Sequence, residues 1–202
     1  MIQIVSGAIA KWLEMEGTIP DEDQTLYAYA AYSFLFGILP IGIVMLLGLC
    51  FGMLQEGIML IIPFIMLRKF CGGFHLKSSR ICFFTTIGVL TFSLGLVKYI
   101  VRTGQMEAPS VLVCLSVLSL CIFSPVENPA RKLSEKERLV FRTVARCLSL
   151  IFVAIYFYLS FHASIQYSAA FGVGVLLVGA LQVPCVLREL LSSKLKVGAK
   201  EK

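Results

Sequence analysis

Residues 26–50 read LYAYAAYSFLFGILPIGIVMLLGLC, without one charged side chain. As a helix rising 1.5 Å per residue, such a run reaches about 37 Å. The hydrocarbon core of a bilayer is about 30 Å thick. The stretch is long enough to cross, and Pro40 within it is tolerated because neighbouring helices can satisfy a freed carbonyl. The rest of the chain has the same character. Of 202 residues, 58% are hydrophobic and 15% charged, and the mean hydropathy is +0.87. Soluble domains carry about 45–50% apolar and about 25% charged residues. One core of this size cannot hide the excess, so lipid is the expected solvent. The fold class is all-α, a polytopic membrane protein forming a single domain over 1–202, because no polar stretch is long enough to fold separately.

Outward from that run, residues 1–18 place Ile2, Val5, Ile9, Trp12 and Leu13 at helical spacing, with Gln3, Ser6, Lys11 and Glu14 largely elsewhere. This predicts an N-terminal amphipathic helix rather than a cleavable signal. It either lies in the membrane interface or packs on the rest of the protein. Further apolar segments follow at 54–67, 81–101, 109–126, 144–161 and 169–187. The segment 54–67 is short and holds Pro63, so a tilted, kinked or partly re-entrant piece is expected there. Ser134 and Glu137 stand three apart, the spacing of a capping box. The transmembrane region spans 26–187, and 188–202 reads as a basic, disordered cytoplasmic tail.

Charge sets the orientation. Lys and Arg number four in 68–80, five in 127–142 and five from 188 on, against none, two and none in the alternate loops. The positive-inside rule then predicts about six transmembrane helices, with both termini and the three basic regions in the cytoplasm. The net charge of +6 thus reports topology in the cell membrane, and no nucleic-acid partner is implied. Of seven cysteines, Cys50, Cys114, Cys121, Cys147 and Cys185 sit in apolar surroundings and act as small hydrophobes. No disulfide framework is expected.

The chemistry is concentrated in Arg68–Cys82, RKFCGGFHLKSSRIC. Its simplest reading is a basic loop that anchors topology, turned by Gly72 and Gly73. His75 beside two thiols asks for more, since imidazole is a base or a ligand near neutral pH. A structural zinc wants four ligands, and His162 should lie across the membrane, so no metal and no cofactor is implied. A thiol–imidazole pair fits better, because a thiol becomes a good nucleophile once a base or a positive field favours its thiolate. Cys71 and Cys82 compete for that part. Gly72 and Gly73 make a regular helix between Cys71 and His75 improbable. His75 and Cys82 on one straight helix would stand about 10 Å apart, too far for proton transfer, so the chain must fold back between them. If Ser78 or Ser79 caps the third span, Cys82 falls in or near its first turn, where free N–H groups and the positive helix end gather. The chemistry leans to Cys82.

These residues carry a resemblance. Arg68, the Gly72-Gly73-Phe74-His75 sequence and a Cys seven residues later, Cys82, resemble the accessory gene regulator B family of membrane cysteine endopeptidases. The stretch SPVENPARKL is similar to that family's second cytoplasmic loop. The resemblance implies that Cys82 attacks and His75 acts as base and then acid, on a short propeptide cut at the C-terminal side of the signal. A thioester acyl-enzyme would then be captured as a thiolactone or lactone autoinducing peptide for quorum sensing. It implies supporting roles for Arg68, Gly72, Gly73, Arg131 and Lys132, whose other reading is loop anchoring or turn formation. It also admits a homodimer, with the bilayer and a propeptide as the other partners. Cys71 stands outside the family pattern. Two other classes remain: a non-enzymatic membrane transporter or peptide-export component, which intramembrane charge would favour, and a lipid-modifying transferase, which would want an acidic or metal motif.

Overall fold

The computed structural model describes residues 2–18, 20, 23–72, 79–126 and 134–198. The described residues form seven helices and no strand: α1 (Ile2–Met15), α2 (Gln24–Phe51), α3 (Leu54–Cys71), α4 (Ser79–Thr103), α5 (Glu107–Phe123), α6 (Glu135–His162) and α7 (Ile165–Gly198). The all-α expectation holds. Four stretches are long and apolar enough to cross a bilayer: Gln24–Phe51, Ile81–Thr103, Glu135–His162 and Ile165–Leu187. α5 is apolar but shorter. α3 carries Glu56 in its first turn and Arg68 and Lys69 in its last, with apolar residues between. Residues 54–67 are therefore part of one continuous helix that keeps Pro63 inside it.

α3 and α7 form the centre, packing more extensively on each other than any other pair. α7 is the most enclosed of the four long apolar helices. Gly174 is the reason they can approach so closely. A Cβ there would run into the Leu60 carbonyl oxygen and the Pro63 ring of α3. Leu60, Phe64 and Leu67 of α3 meet Phe171, Val175 and Val178 of α7 in a core completed by Val113, Leu120, Phe152 and Tyr156. The Tyr156 hydroxyl is satisfied there by Ser110, 2.9 Å away. Outside this core, Phe34, Phe84, Phe92, Leu115, Leu118 and Phe161 are exposed. A water-soluble bundle would not leave such a girdle of large apolar side chains uncovered, whereas in a bilayer it faces acyl chains.

The ends follow local rules. Ser134 caps α6 with both halves of the capping box in place: Glu137 N–H donates to Ser134 Oγ at 3.3 Å, and Ser134 N–H to Glu137 Oε2 at 3.0 Å. α1 lies against α2 through buried Ser6 and Ala10, tied by Gln24 Nε2 donating to Glu14 at 2.7 Å. Its Ile4, Val5, Trp12 and Met15 remain outward. Packing on the protein and an exposed apolar face are thus both present in one helix. The segment from 188, expected to be disordered, is helical as far as Gly198. Leu187, Leu191 and Leu195 recur every fourth residue there, so the helical period outlasts the apolar run that ends the sixth predicted span.

Candidate active site at one end of the bundle

The described part of α4 runs from Ser79, and Cys82 stands three residues into it. The first turn of any α-helix leaves N–H groups without i−4 carbonyl partners. The Cys82 side chain is buried, and its carbonyl accepts the Thr86 hydroxyl at 2.8 Å. The thiol residue lines a small cavity of about 50 Å³ with Phe64 and Arg68 of α3, Thr85 and Thr86 of α4, and Leu181 of α7. That space holds little more than a water molecule. Arg68 lies over the Phe64 ring, 5.4 Å from its centroid, and its guanidinium interacts electrostatically with Cys82 and with Cys185 of α7. Arg68 and Cys82, fourteen residues apart in the chain, thus share one site. Cys185 is a neighbour that apolar surroundings alone gave no reason to single out.

Cys71 is placed differently. It ends α3 fully buried, and it is not among the residues lining the Cys82 cavity. Gly72 follows with φ +75° and ψ −161°, a region reserved for glycine. A Cβ on Gly72 would collide with the Val126 carbonyl oxygen. Val126 N–H donates to the Cys71 carbonyl at 3.0 Å. Gly72 and Val126, the last described residues before 73–78 and 127–133, are therefore laid directly against each other. Gln182 of α7 closes the group by donating from Nε2 to Ser124 Oγ at 3.1 Å. It lines neither the Cys82 cavity nor the larger apolar recess between α4, α5 and α7. Its contacts are those of helix packing.

His75, Gly73, Arg131 and Lys132 lie outside the described residues. Their attachment points are defined: Gly72 and Ser79 bracket the first, and Val126 and Ser134 bracket the second. His162 ends α6, about 40 Å of helix rise from Ser134, and stacks beside Tyr158 with ring centroids 4.9 Å apart. Glu56 stands at the opposite end of α3 from Arg68. The contact of Gly72 with Val126 had no counterpart in the sequence reading. The one available signal was a polar Gln182 within an apolar run, which in a membrane helix asks for a partner.

Fold and site together define a multi-pass membrane protein that holds a buried thiol beside an arginine at one end of its bundle. The family model for accessory gene regulator B matches residues 6–184, and the chain belongs to that family. It is also similar to AgrB-like protein 2 of Clostridium perfringens (strain 13 / Type A), with 30% identity over 90 residues. That match covers 45% of this chain and 41% of the relative. No solved structure matches the chain.

Proposed function

We propose that the protein is a membrane cysteine endopeptidase that matures a quorum-sensing propeptide. The observation that carries this reading is Cys82 three residues into the described part of α4, facing a cavity shared with Arg68, in a chain of the accessory gene regulator B family. Cys82 Sγ attacks the scissile carbonyl carbon, and first-turn N–H groups are suited to hold the resulting oxyanion. His75 takes the thiol proton and returns it to the leaving nitrogen as the C–N bond breaks. The product is a thioester acyl-enzyme and a released C-terminal peptide. An internal Cys or Ser of the bound fragment then attacks the thioester carbonyl, freeing the Cys82 thiol and closing a thiolactone or lactone ring. Water attack would give a linear peptide instead, and a small, mostly apolar cavity disfavours it.

The geometry around Cys71 supports Cys82 as the nucleophile, since Cys71 is fully buried and lies outside the cavity that Cys82 lines. Arg68, Arg131 and Lys132 would support the propeptide, and Gly72 and Gly73 would shape the loop that carries His75. The positive-inside count and the helix arrangement support six spans, with α3 and α5 as the two short ones. Both termini and the active site would then face the cytoplasm, with α1 in the interface and a homodimer as one assembly. The test is co-expression with a cognate propeptide, following its size. Cys82→Ala and His75→Ala should each abolish cleavage with membrane levels unchanged, and Cys71→Ala should retain it. Cleavage by Cys82→Ala would sink the reading.

A further inference from the structure

A row of arginines on α6 has no part in the peptidase reading. Arg138, Arg142 and Arg146 recur every fourth residue, so they follow one another along one face of the helix. All three are exposed. Two contacts fix their height against α5. Ser110, near the start of α5, meets the Tyr156 hydroxyl at 2.9 Å. Arg146 Nε donates to the Cys121 carbonyl at 3.0 Å, two residues from the end of α5. The two helices are therefore antiparallel. Residues 135–145 of α6, roughly 16 Å of rise, run on past the Cys121 contact, and Arg142 stands on that part.

The Arg146 contact has a chemical cause. Continuing α5 would give the Cys121 carbonyl the N–H of residue 125, but residue 125 is proline and has none. Arg146 supplies the donor from the next helix, at a C-terminal end where a cation is favoured. A guanidinium carries five N–H donors in one rigid plane. The Nε bond orients that plane, and the two Nη groups stay available. Among the described residues neither Arg142 nor Arg146 has a carboxylate partner. Their surroundings are apolar. Residues 147–161 hold no charge, so the row ends where the uncharged run of α6 begins. Leu139, three residues before Arg142, and Leu150, four after Arg146, share the face and are exposed at 64% and 59%.

We infer that Arg142 and Arg146 form a site for the phosphate of an anionic phospholipid at the membrane boundary. One helical turn, about 6 Å of rise, separates them, so both guanidinia can donate charge-assisted hydrogen bonds to one phosphate. The acyl chains of the same lipid cover Leu139 and Leu150, which a water-borne phosphate would leave bare. A net negative headgroup is favoured over a zwitterionic one, because the latter brings its own cation to the arginine row. Basic clusters at helix ends recognise anionic headgroups in this way. The inference does not depend on the chemistry at Cys82.

The experiment uses the full chain in a neutral detergent, with phosphatidylglycerol as the anionic probe and phosphatidylcholine as the zwitterionic one. Native mass spectrometry counts the lipid retained as each is titrated. Wild type should retain phosphatidylglycerol in preference. Arg142→Gln and Arg146→Gln should each weaken that binding about fivefold, and the double about 25-fold, with phosphatidylcholine unchanged. Lys136→Gln makes the same charge change on α6 but off the row, and should behave as wild type. Equal retention of both lipids by wild type, undiminished phosphatidylglycerol in the double, or an equal loss in Lys136→Gln would each overturn the inference. Inorganic phosphate separates the two sources of the anion. It should not displace phosphatidylglycerol, and displacement would mean an anion site open to water instead of a lipid site. If Arg146→Gln misfolds for want of its bond to Cys121, Arg142→Gln carries the test.

Discussion

Substituting alanine at Gly72 tests how the two loop stems are joined. The backbone there has φ +75° and ψ −161°, and strain for a residue with a Cβ is about 1–3 kcal/mol. The new methyl would also meet the Val126 carbonyl oxygen, so Val126 must retreat. Its retreat gives up the bond from Val126 N–H to the Cys71 carbonyl, worth about 0.5–1.5 kcal/mol net. The sum is about 2–4 kcal/mol against the closed arrangement, or about 30- to 1,000-fold in the equilibrium for local opening. Because the contact sits at the end of the bundle, the cost should appear as opening of the stems rather than loss of the fold. The direct readout is alkylation of Cys71, which is fully buried when the stems are closed. Gly72→Ala should raise its rate by a factor in that range and lower propeptide cleavage with it. Gly88→Ala is the control, since a Cβ on Gly88 meets nothing within 4 Å. Wild-type labelling and cleavage in Gly72→Ala would refute the argument. So would equal effects in the two variants.

Other outcomes follow from the same contacts. Gly174→Ala should force α3 and α7 apart at Leu60 and Pro63, costing about 1–3 kcal/mol and lowering the thermal midpoint in detergent. A midpoint unchanged from wild type would mean the helices yield more easily than the packing suggests. Ser134→Ala removes the α6 capping box and should cost about 1 kcal/mol, seen as faster hydrogen exchange confined to the first turn of α6. For orientation, Gln105→Cys and Glu135→Cys place thiols on exposed positions at opposite ends of the bundle. A membrane-impermeant maleimide applied to whole cells should label the first, and the second only after permeabilisation; the reverse pattern would invert the proposed topology.

Much of this protein was legible in its sequence because the bilayer imposes so strong a rule. Every backbone group in hydrocarbon must be satisfied within the chain, and apolar runs then have only a helix to form. Hence α2, α4, α6 and α7 contain the runs that predicted them, and α5 covers all but the last three residues of its run. Local capping was equally readable at α6, where Ser134 and Glu137 meet as their spacing demanded. Prolines were less readable. Pro63 suggested a tilted, kinked or partly re-entrant piece; α3 is one helix running through it, since a lost hydrogen bond matters less in a helix clasped by α2, α6 and α7. Composition and period pull apart in the tail: its basic residues argue for disorder, while its four-residue leucine spacing continues α7 over the described residues to Gly198.

The sequence by itself determined the solvent, the helices, and the thiol, arginine and histidine types that mark the family, because composition, period and short motifs are local properties. Only the tertiary structure decided which of two similar cysteines faces a cavity with Arg68 and which is wholly buried at the end of α3. It alone brought Val126 onto Gly72 and Gln182 onto Ser124 across more than fifty residues of chain. Those contacts depend on how closely α3, α5 and α7 converge at one end of the bundle, and no local pattern encodes the distance between helices.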